Sequence, residues 1–463
     1  MGWFNSLTAK HFLPCCLSTG KEDEVDGSNQ ETKVSSSTQE ARFTILEFPT
    51  CILVEIFIRL PVKSILICHC VCKAFSALLK DSCFHNEYSK IKQPVGIIFN
   101  SVNLNWTRDK TTNSFYLFEF GDQHKLTALP VNKNMPKTKG VIRLLGSSNG
   151  LVCLSENYNK GHFLKRNMIH VCNPVLGEYV TLPRIQDNFF NEWFSFGLNP
   201  SKNQYKVIRI VDKYYGNGDN VQLCTEVFTV GVDCKWRILK DNCNHQLRCQ
   251  GPEFQGAIHW MLKRSCYWPD MATYNVLIAF DLDEEKFRSI AIPQYIIVKI
   301  RVYYKYSCST SRLLILRNCL SILSFTHHDE KLNVWAMKKY GVVESWASEY
   351  SISVSLIPRN KVHNEVFMVL PIPANEWGDG EVFIFSWTIG LISYNLEEEK
   401  YAEHHELNRE LLEIYRDCNG VTNFVYGDTF TPSLISLKKL FSAGQASVLP
   451  VRQKKGWFLT TWK

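Results

Sequence analysis

A cluster of metal-ligating side chain types lies at Cys68, His69, Cys70 and Cys72. On a helix, Cys68 and Cys72 share one face because they are four positions apart, while Cys70 points away from it. No second pair of ligands follows at the spacing of a zinc site. The spacing therefore favours thiols packed on a helix over a metal centre, and we expect no metal and no cofactor.

Other residues that could do chemistry are poorly placed for it. The adjacent pairs His327-His328 and His404-His405 would face opposite sides of a strand, so neither pair could bind one ligand jointly. The chain contains neither a P-loop nor a G-x-G-x-x-G motif, and no G-x-S-x-G nucleophile elbow is expected. The sequence therefore assigns no catalytic residue and predicts a protein that works by binding.

Residues 43–90 contain short helical patterns rich in branched apolar side chains. Pro49 suits the first helical position, and apolar residues then recur at three- and four-residue steps up to Leu60. Pro61 ends this pattern and can begin a second helix, and a third pattern extends from Val71 to Leu79. So short a unit buries too little surface to be stable alone. It must pack on the rest of the chain, as a helical cap, or on another protein.

The segment resembles an F-box of the plant type. The resemblance is carried by Phe48-Pro49, by RLPVKSIL at 59–66, and by Val71-Cys72-Lys73 ahead of Phe75. In that family the motif docks on a Skp-type adaptor, which connects it to a cullin–RING ubiquitin ligase. The chain departs from the family at Phe48, where leucine is frequent, at Ile67 and His69, where basic residues are frequent, and at Phe75, where tryptophan is usual. The adaptor-binding residues that the resemblance implies are Phe48, Pro49, Ile52, Leu53, Ile56, Leu60, Pro61, Val62, Leu66, Val71, Cys72 and Phe75.

Composition restricts the class of protein further. The chain has 463 residues, of which 45% are hydrophobic, and its net charge of +7 is spread along the sequence. Nucleic-acid binding would require a concentrated basic face, so no nucleic-acid partner is expected. The 17 cysteines form no disulfide framework, the first 20 residues lack a secretory pattern, and no apolar run reaches the ~18 residues of a membrane span. We expect a cytoplasmic or nuclear location.

Residues 1–42 are polar and lack periodicity, which predicts a disordered tail. Gly2 and Ser6 fit a loose myristoylation pattern, and Cys15-Cys16 could carry a second lipid. The bulky Trp3 opposes that alternative, so we do not expect a membrane partner.

From about Pro94 the helical spacing gives way to short Val, Ile, Phe and Tyr runs separated by turn residues, which indicates β-structure. Similar hairpins centre on Phe118, Val171, Phe228, Ala279, Val334 and Ser393. A period of ~50–60 residues is typical of propeller blades, and about six blades would fill this region. A pair of β-sandwiches is the alternative. Trp236, Trp260, Trp335 and Trp346 are expected in the core.

The β-region also resembles a known family, through motifs that occur in the same order. These include GSSNGLVCL at 146–154, CNPVLGEYVTLP at 172–183, GAIHWM at 256–261 and AFDLDEEKFRSIAIP at 279–293. Together they resemble the plant F-box-associated domain, a family that includes the S-locus F-box proteins of self-incompatibility. The resemblance implies an α+β multidomain protein, with a small three-helix F-box followed by an all-β kelch-like propeller. The predicted bounds are 1–42 for the tail, 43–90 for the F-box, 94–440 for the propeller and 441–463 for a C-terminal tail.

Three long insertions, 155–167, 184–193 and 212–224, are candidate contacts for a target protein because Tyr, Trp and Arg anchor protein interfaces. The target-binding residues proposed from them are Tyr158, Arg166, Phe190, Trp193, Tyr214 and Tyr215. The resulting hypothesis is a non-catalytic substrate receptor of a Skp–cullin–F-box ubiquitin ligase, which recruits an unknown target protein for degradation. The alternatives are an F-box protein that binds a partner without a ligase, and a propeller enzyme.

Overall fold

In the computed structural model the chain divides into two compact units, Met1–Lys92 and Gln93–Lys463. The structure describes residues 45–60, 62–81, 83–84, 87–88, 96–105, 110–120, 126–130, 135–136, 140–158, 166–184, 192–215, 220–240, 247–248, 251–262, 276–301, 312–326, 331–353, 368–371, 381–386, 390–395, 398, 400–403, 422–443 and 451–453. None of the helices in these ranges has the length and apolar character needed to cross a bilayer. The predicted N-terminal tail lies outside the described residues.

The first unit contains a 3-10 turn, Ile45–Glu47, and the helices α1 (Thr50–Phe57), α2 (Val62–Val71) and α3 (Lys73–Lys80). Pro49 lies at the N-cap of α1, one position earlier than predicted. The chain turns at Cys72, which is extended, and its Sγ accepts a hydrogen bond from the Phe75 backbone N–H at 3.4 Å. One cysteine therefore separates α2 from α3 and caps the third helix.

The core of the helical unit is aromatic and aliphatic. Its buried side chains are Leu53, Phe57, Ile58, Ile65, Phe75, Leu79, Phe84 and Tyr88. The rings of Phe57 and Phe75 meet edge to face with centroids 4.9 Å apart, a favoured arrangement for an aromatic pair. The Tyr88 hydroxyl donates to the Leu60 carbonyl oxygen at 3.4 Å, which joins the end of this unit to the end of α1.

The second unit consists of antiparallel sheets, six of them among the described residues. Blade 1 contains β1 (Gly96–Asn105), β2 (Lys110–Phe120), β3 (Leu126–Pro130) and the late strand β25 (Thr422–Phe430). Blade 2 contains β4 (Val141–Ser148), β5 (Leu151–Tyr158), β6 (Arg166–Asn173), β7 (Glu178–Thr181) and β26 (Arg452–Gln453). Blade 3 contains β8 (Glu192–Asn199), β9 (Gln204–Tyr215), β10 (Asn220–Thr229) and β11 (Arg237–Ile238).

The remaining sheets follow in chain order. Blade 4 contains β12 (Leu247–Arg248), β13 (Glu253–Phe254), β14 (Ala257–Leu262), β15 (Val276–Asp281) and β16 (Lys286–Ala291). Blade 5 contains β17 (Arg312–Leu316), β18 (Cys319–Thr326), β19 (Lys331–Met337) and β20 (Trp346–Ser353), and blade 6 contains β21 (Met368–Pro371), β22 (Glu381–Ser386), β23 (Gly390–Asn395) and β24 (Lys400–Glu403). Helix α4 (Gln294–Arg301) joins blades 4 and 5, and helix α5 (Leu437–Ala443) follows β25.

The first strands of the blades contact one another in a closed circuit, which makes this unit a propeller. The circuit passes from β25 to β4, β8, the β13–β14 hairpin, β17 and β21, and returns to β25. Strand β25 pairs with β1 from Gly96↔Phe430 to Leu104↔Thr422, so a strand from late in the sequence supplies the inner strand of blade 1. The predicted β-propeller is confirmed, and each predicted hairpin centre, from Phe118 to Ser393, lies on the third strand of one blade.

The seams between blades hold the apolar core. On β9, Tyr205 and Val207 belong to the cluster between blades 2 and 3, while Ile208 and Ile210 belong to the cluster between blades 3 and 4. A strand between two seams must be apolar on both faces, so a strict alternation of apolar and polar residues is absent. The predicted core tryptophans Trp260, Trp335 and Trp346 are buried, and Trp236 is partly buried against the first cluster.

The propeller has two rims that differ in their connections. Consecutive strands of a blade are antiparallel, so the connections between first and second and between third and fourth strands lie on one rim, called the turn rim. The other connections lie on the opposite rim, called the insertion rim. The described left-handed residues of the turn-rim connections are Asn149, Gly150, Gly177, Asn203, Gly231, Gln255, Gly256, Glu285, Arg317, Asn318 and Gly341. Tight turns therefore form the turn rim, and the three insertions predicted from the sequence lie on the insertion rim.

Candidate functional site

A set of large apolar side chains is exposed in the F-box segment, on the first two helices and just before them. Its members are Phe48 (47% exposed), Ile52 (42%), Ile67 (42%) and Val71 (37%), and we call them the helical docking surface. Ile67 and Val71 are four residues apart on α2, so they lie along one side of that helix. Phe48 precedes Pro49, the N-cap of α1, and Ile52 lies in the first turn of α1. Side chains of this kind gain free energy when a partner removes them from water.

The structure divides the predicted adaptor-binding residues into three groups. Phe48, Pro49, Ile52 and Val71 are exposed, whereas Ile56, Leu60, Leu66 and Cys72 are half-buried. Leu53 and Phe75 are only 7% and 4% exposed, and Phe75 packs on Phe57, so the structure places both side chains in the helical core and not on the exposed surface. Pro61 and the side chain of Val62 lie outside the described residues.

Ile67 belongs to the docking surface but was not predicted to face the adaptor. In the sequence it appeared only as a departure from a position where the family often has a basic residue. Its position four residues before Val71 on one helix could have identified it.

The cysteines near this surface have structural partners. Cys72 caps α3, and burial raises the pKa of the Cys68 thiol. The His69 Nε2 and the Ser76 Oγ form a hydrogen bond at 3.4 Å across α2 and α3. In the ranges that the structure covers, no group of three or more His, Cys, Asp or Glu side chains is arranged to hold a metal ion.

The candidate target-binding residues cluster at the insertion rim of two neighbouring blades. Tyr158 ends β5 and pairs in register with Arg166, which begins β6. Tyr214 and Tyr215 end β9. The side chains of these four residues lie outside the described set, as does Phe190 entirely. Their backbone positions nevertheless place both hairpin ends on one rim of blades 2 and 3, whose first strands β4 and β8 are in contact.

Two features of the predicted insertions are corrected by the structure. The strands extend into all three, which leaves connections of 159–165, 182–191 and 216–219 between described strands. Trp193 lies on β8, not in a loop, and packs partly buried against the apolar cluster between blades 3 and 4. We therefore assign Trp193 to the core of the rim and not to its contact surface.

Buried polar networks connect the strands beneath this rim. In blade 3, Arg209 has no exposed side-chain surface, and its Nε and Nη1 donate to Glu192 Oε2 at 3.0 Å and Glu226 Oε2 at 2.6 Å. In blade 2, His170 lies between Glu156 Oε2 at 3.2 Å and Thr181 Oγ1 at 2.9 Å. Each network crosses three adjacent strands. Both networks therefore connect the strands that carry the hairpin ends of the rim.

One catalytic letter pattern is nevertheless present in the sequence. Residues 146–150 read GSSNG, which matches the G-x-S-x-G of the nucleophile elbow. That elbow joins a strand to a helix and exposes its serine, whereas here Ser148 ends β4 before a tight turn into β5. Ser148 is buried, and its Oγ donates to Glu253 Oε2 at 3.2 Å. The segment is thus a strand-to-strand turn, without the helix that the elbow requires.

Comparison with known families agrees with both units. A family model described as the F-box associated beta propeller domain matches residues 102–401, and the F-box domain model matches residues 45–87. The chain therefore belongs to the F-box-associated β-propeller family, and it is a plant F-box protein with an F-box-associated domain.

Relatives occur in Arabidopsis thaliana. F-box protein At3g07870 is 25% identical over 77% of this chain and 86% of its own length, and F-box/kelch-repeat protein At3g23880 is 22% identical over 79% and 92%. Among solved structures, the Bombyx mori GH32 beta-fructofuranosidase BmSUC1 is similar at a TM-score of 0.33 and 10% identity, over 56% of this chain and 61% of that one. A likeness at that level carries no argument about this chain.

Proposed function

We propose that this chain is a substrate-recognition subunit of a Skp–cullin–F-box ubiquitin ligase, which binds a Skp-type adaptor through the helical docking surface and a target protein through the insertion rim. F-box proteins typically act as substrate adaptors of such ligases, and their F-box generally binds Skp1. The observation that carries the proposal is the exposure of Phe48, Ile52, Ile67 and Val71 within the F-box helices. An exposed apolar patch on a folded unit commonly marks a protein-binding surface.

The charges around this surface are compatible with an apolar partner. Arg59 and Glu55 pair on α1, four residues apart and both well exposed. An exposed pair of this kind contributes little free energy and can be rearranged when a partner docks. The apolar side chains therefore supply most of the affinity expected here, and the charges set the orientation.

F-box family proteins are generally non-catalytic substrate receptors, and we extend that role to this chain. Its contribution would be proximity, since holding a target beside a conjugating enzyme raises the effective concentration of the target's lysines. A cytoplasmic or nuclear location follows from this proposal, because the ligase components and the proteasome act there.

Reconstitution tests the ligase assignment. Full-length chain is mixed with purified Skp-type adaptor, cullin and RING subunit and analysed by gel filtration. The expected result is one co-eluting assembly for the wild type, and none for the double variant Ile52→Asp, Ile67→Asp, because two buried carboxylates would be unpaired at the interface. The exposed Ile238→Asp variant in the propeller provides a matched control that should still assemble.

The outcome also separates the two candidate functions. Binding of the adaptor without the cullin would support an F-box protein that acts outside a ligase. Equal assembly of the wild type and the double variant would refute docking through the described surface.

A further inference from the structure

The described structure continues beyond β25, the strand that closes the propeller. After β25, residues 431–443 cross the turn rim, and residues 451–453 reach the outer edge of blade 2, where Arg452 and Gln453 pair with Tyr179 and Glu178. We call these described residues the C-terminal clasp. Helix α5 spans the boundary predicted at residue 440, so the predicted C-terminal tail is structured in part and belongs to the propeller.

Polar contacts fix the clasp to blade 2. Asn173 Nδ2 donates to the carbonyl oxygens of Ser433 at 3.1 Å and Ile435 at 2.9 Å. Ser436 Oγ donates to Glu178 Oε2 at 2.9 Å. Asn173 and Glu178 are both buried, so these bonds satisfy polar groups that have little access to water.

Apolar contacts fix the clasp to the seam between blades 2 and 3. Leu437 and Phe441, on one face of α5, are buried in the same cluster as Val180 of β7 and Phe228 of β10. The helix thus contributes side chains to a core whose other members come from two different sheets. Clasp and seam share one apolar core, and neither blade alone could bury these side chains.

Two glycines of the turn rim show how closely the clasp approaches. At Gly150 an added Cβ would collide with the Ser433 side chain, and at Gly231 it would lie 2.7 Å from the Leu440 carbonyl oxygen. Gly231 has φ +79°, and Gly341, in the corresponding turn of blade 5, also has φ +79° but nothing within 4 Å of its Cβ position. The two glycines therefore share a backbone conformation and differ in whether the clasp covers them.

We infer that the C-terminal clasp is a separate closing device, which locks blade 2 to blade 3 on the turn rim and can be released while the other blades stay folded. The insertion-rim hairpins of the same two blades carry the candidate target contacts. If the proposed function holds, the clasp, by fixing this seam, also fixes the spacing of the target-binding rim. The inferred lock itself is independent of any target.

Hydrogen exchange of the full-length chain tests the lock. In Gly231→Ala, the amides of α5 and β7 should exchange at least about tenfold faster than in the wild type, while those of β15 and β19 are unchanged. Gly341→Ala imposes the same backbone cost and should leave the exchange of both α5 and β7 unchanged. Equal effects of the two substitutions on α5, or faster exchange throughout the propeller in Gly231→Ala, would overturn the inference.

A second pair of variants applies if Gly231→Ala does not fold. Phe441→Ala removes the clasp's aromatic ring without changing any blade residue, and the exposed Lys439→Ala on the same helix is its control. Faster exchange at β7 only in Phe441→Ala supports the lock, and unchanged exchange in both variants refutes it.

The link to the target is read separately by affinity purification of the full-length chain. Variants in which hydrogen exchange shows a released clasp should still capture the Skp-type adaptor but should lose the target proteins. If exchange shows release while target capture is unchanged, the lock stands and its role in spacing the rim is refuted. If the wild-type chain captures no Skp-type adaptor, that result instead counts against the proposed function.

Discussion

Ile52 and Leu53 are neighbours on α1 with the same side-chain size, yet the structure gives them different roles. Ile52 is 42% exposed on the helical docking surface, whereas Leu53 is 7% exposed in the helical core. We predict that Ile52→Ala weakens adaptor binding and leaves the helices intact, while Leu53→Ala destabilises the helices themselves. The contrast tests which face of the helix meets the partner.

The magnitudes follow from the burial of each side chain. Full burial of an isoleucine contributes about 1.5–3 kcal/mol, so covering the exposed part of Ile52 contributes about 1 kcal/mol. Its loss should raise the Kd for the Skp-type adaptor about fivefold. Ile52→Ala combined with Ile67→Ala should raise it about 30-fold if the two sites are independent. Truncation of buried Leu53 should cost about 2–5 kcal/mol of stability in the helical unit.

Isothermal titration of full-length variants with purified adaptor measures the first effect, and hydrogen exchange of residues 50–80 measures the second. Ile238→Ala is the matched control, since Ile238 is an exposed isoleucine of the propeller and its truncation should leave the Kd unchanged. A wild-type Kd in Ile52→Ala, or a Leu53→Ala chain with unchanged exchange, would refute the assignment of the two faces.

Further predictions concern the buried polar groups of the propeller. Arg209→Met should destabilise the full-length chain by about 3–5 kcal/mol in denaturant unfolding, because it leaves Glu192 and Glu226 buried without their cation. The control Lys286→Met removes an exposed ion pair and should change the free energy of unfolding by less than about 0.5 kcal/mol. Burial lowers the pKa of His259 from 6.5 to about 4, so the unfolded chain binds more protons than the folded chain between these pH values. The free energy of unfolding should therefore fall by about 3 kcal/mol as the pH drops from 6.5 to 4. Chemical unfolding of His259→Gln should lack this fall, and a pH profile identical to that of the wild type would contradict the prediction.

Much of the propeller could be predicted because its signals are local. The hairpins recur at one period, and the turn residues act within a few positions. The Oδ1 of Asn173, for example, accepts from the backbone N–H groups of Val175 and Leu176, and that of Asp281 accepts from Asp283 and Glu284. Such Asx turns are legible in a sequence because donor and acceptor lie next to each other in the chain.

The features that escaped prediction depend on distant contacts or on the choice between apolar neighbours. Asn173 also donates to Ser433 and Ile435, and no local pattern relates these positions, so the clasp was not predicted and its residues after 440 were assigned to a tail. On α1 apolar residues surround most of the helix, and periodicity alone could not tell exposed Ile52 from buried Leu53. Trp193 was assigned to a loop because the strand β8 begins earlier than the sequence pattern indicated.

The central claim is that one surface binds the ligase machinery and another binds the target. Affinity purification of the full-length chain with mass spectrometry, under proteasome inhibition, tests it most directly. The account predicts that Ile52→Asp with Ile67→Asp loses the Skp-type adaptor and the cullin but retains the target proteins captured by the wild type. Retention of adaptor and cullin by this variant, or loss of the targets together with them, would contradict the account.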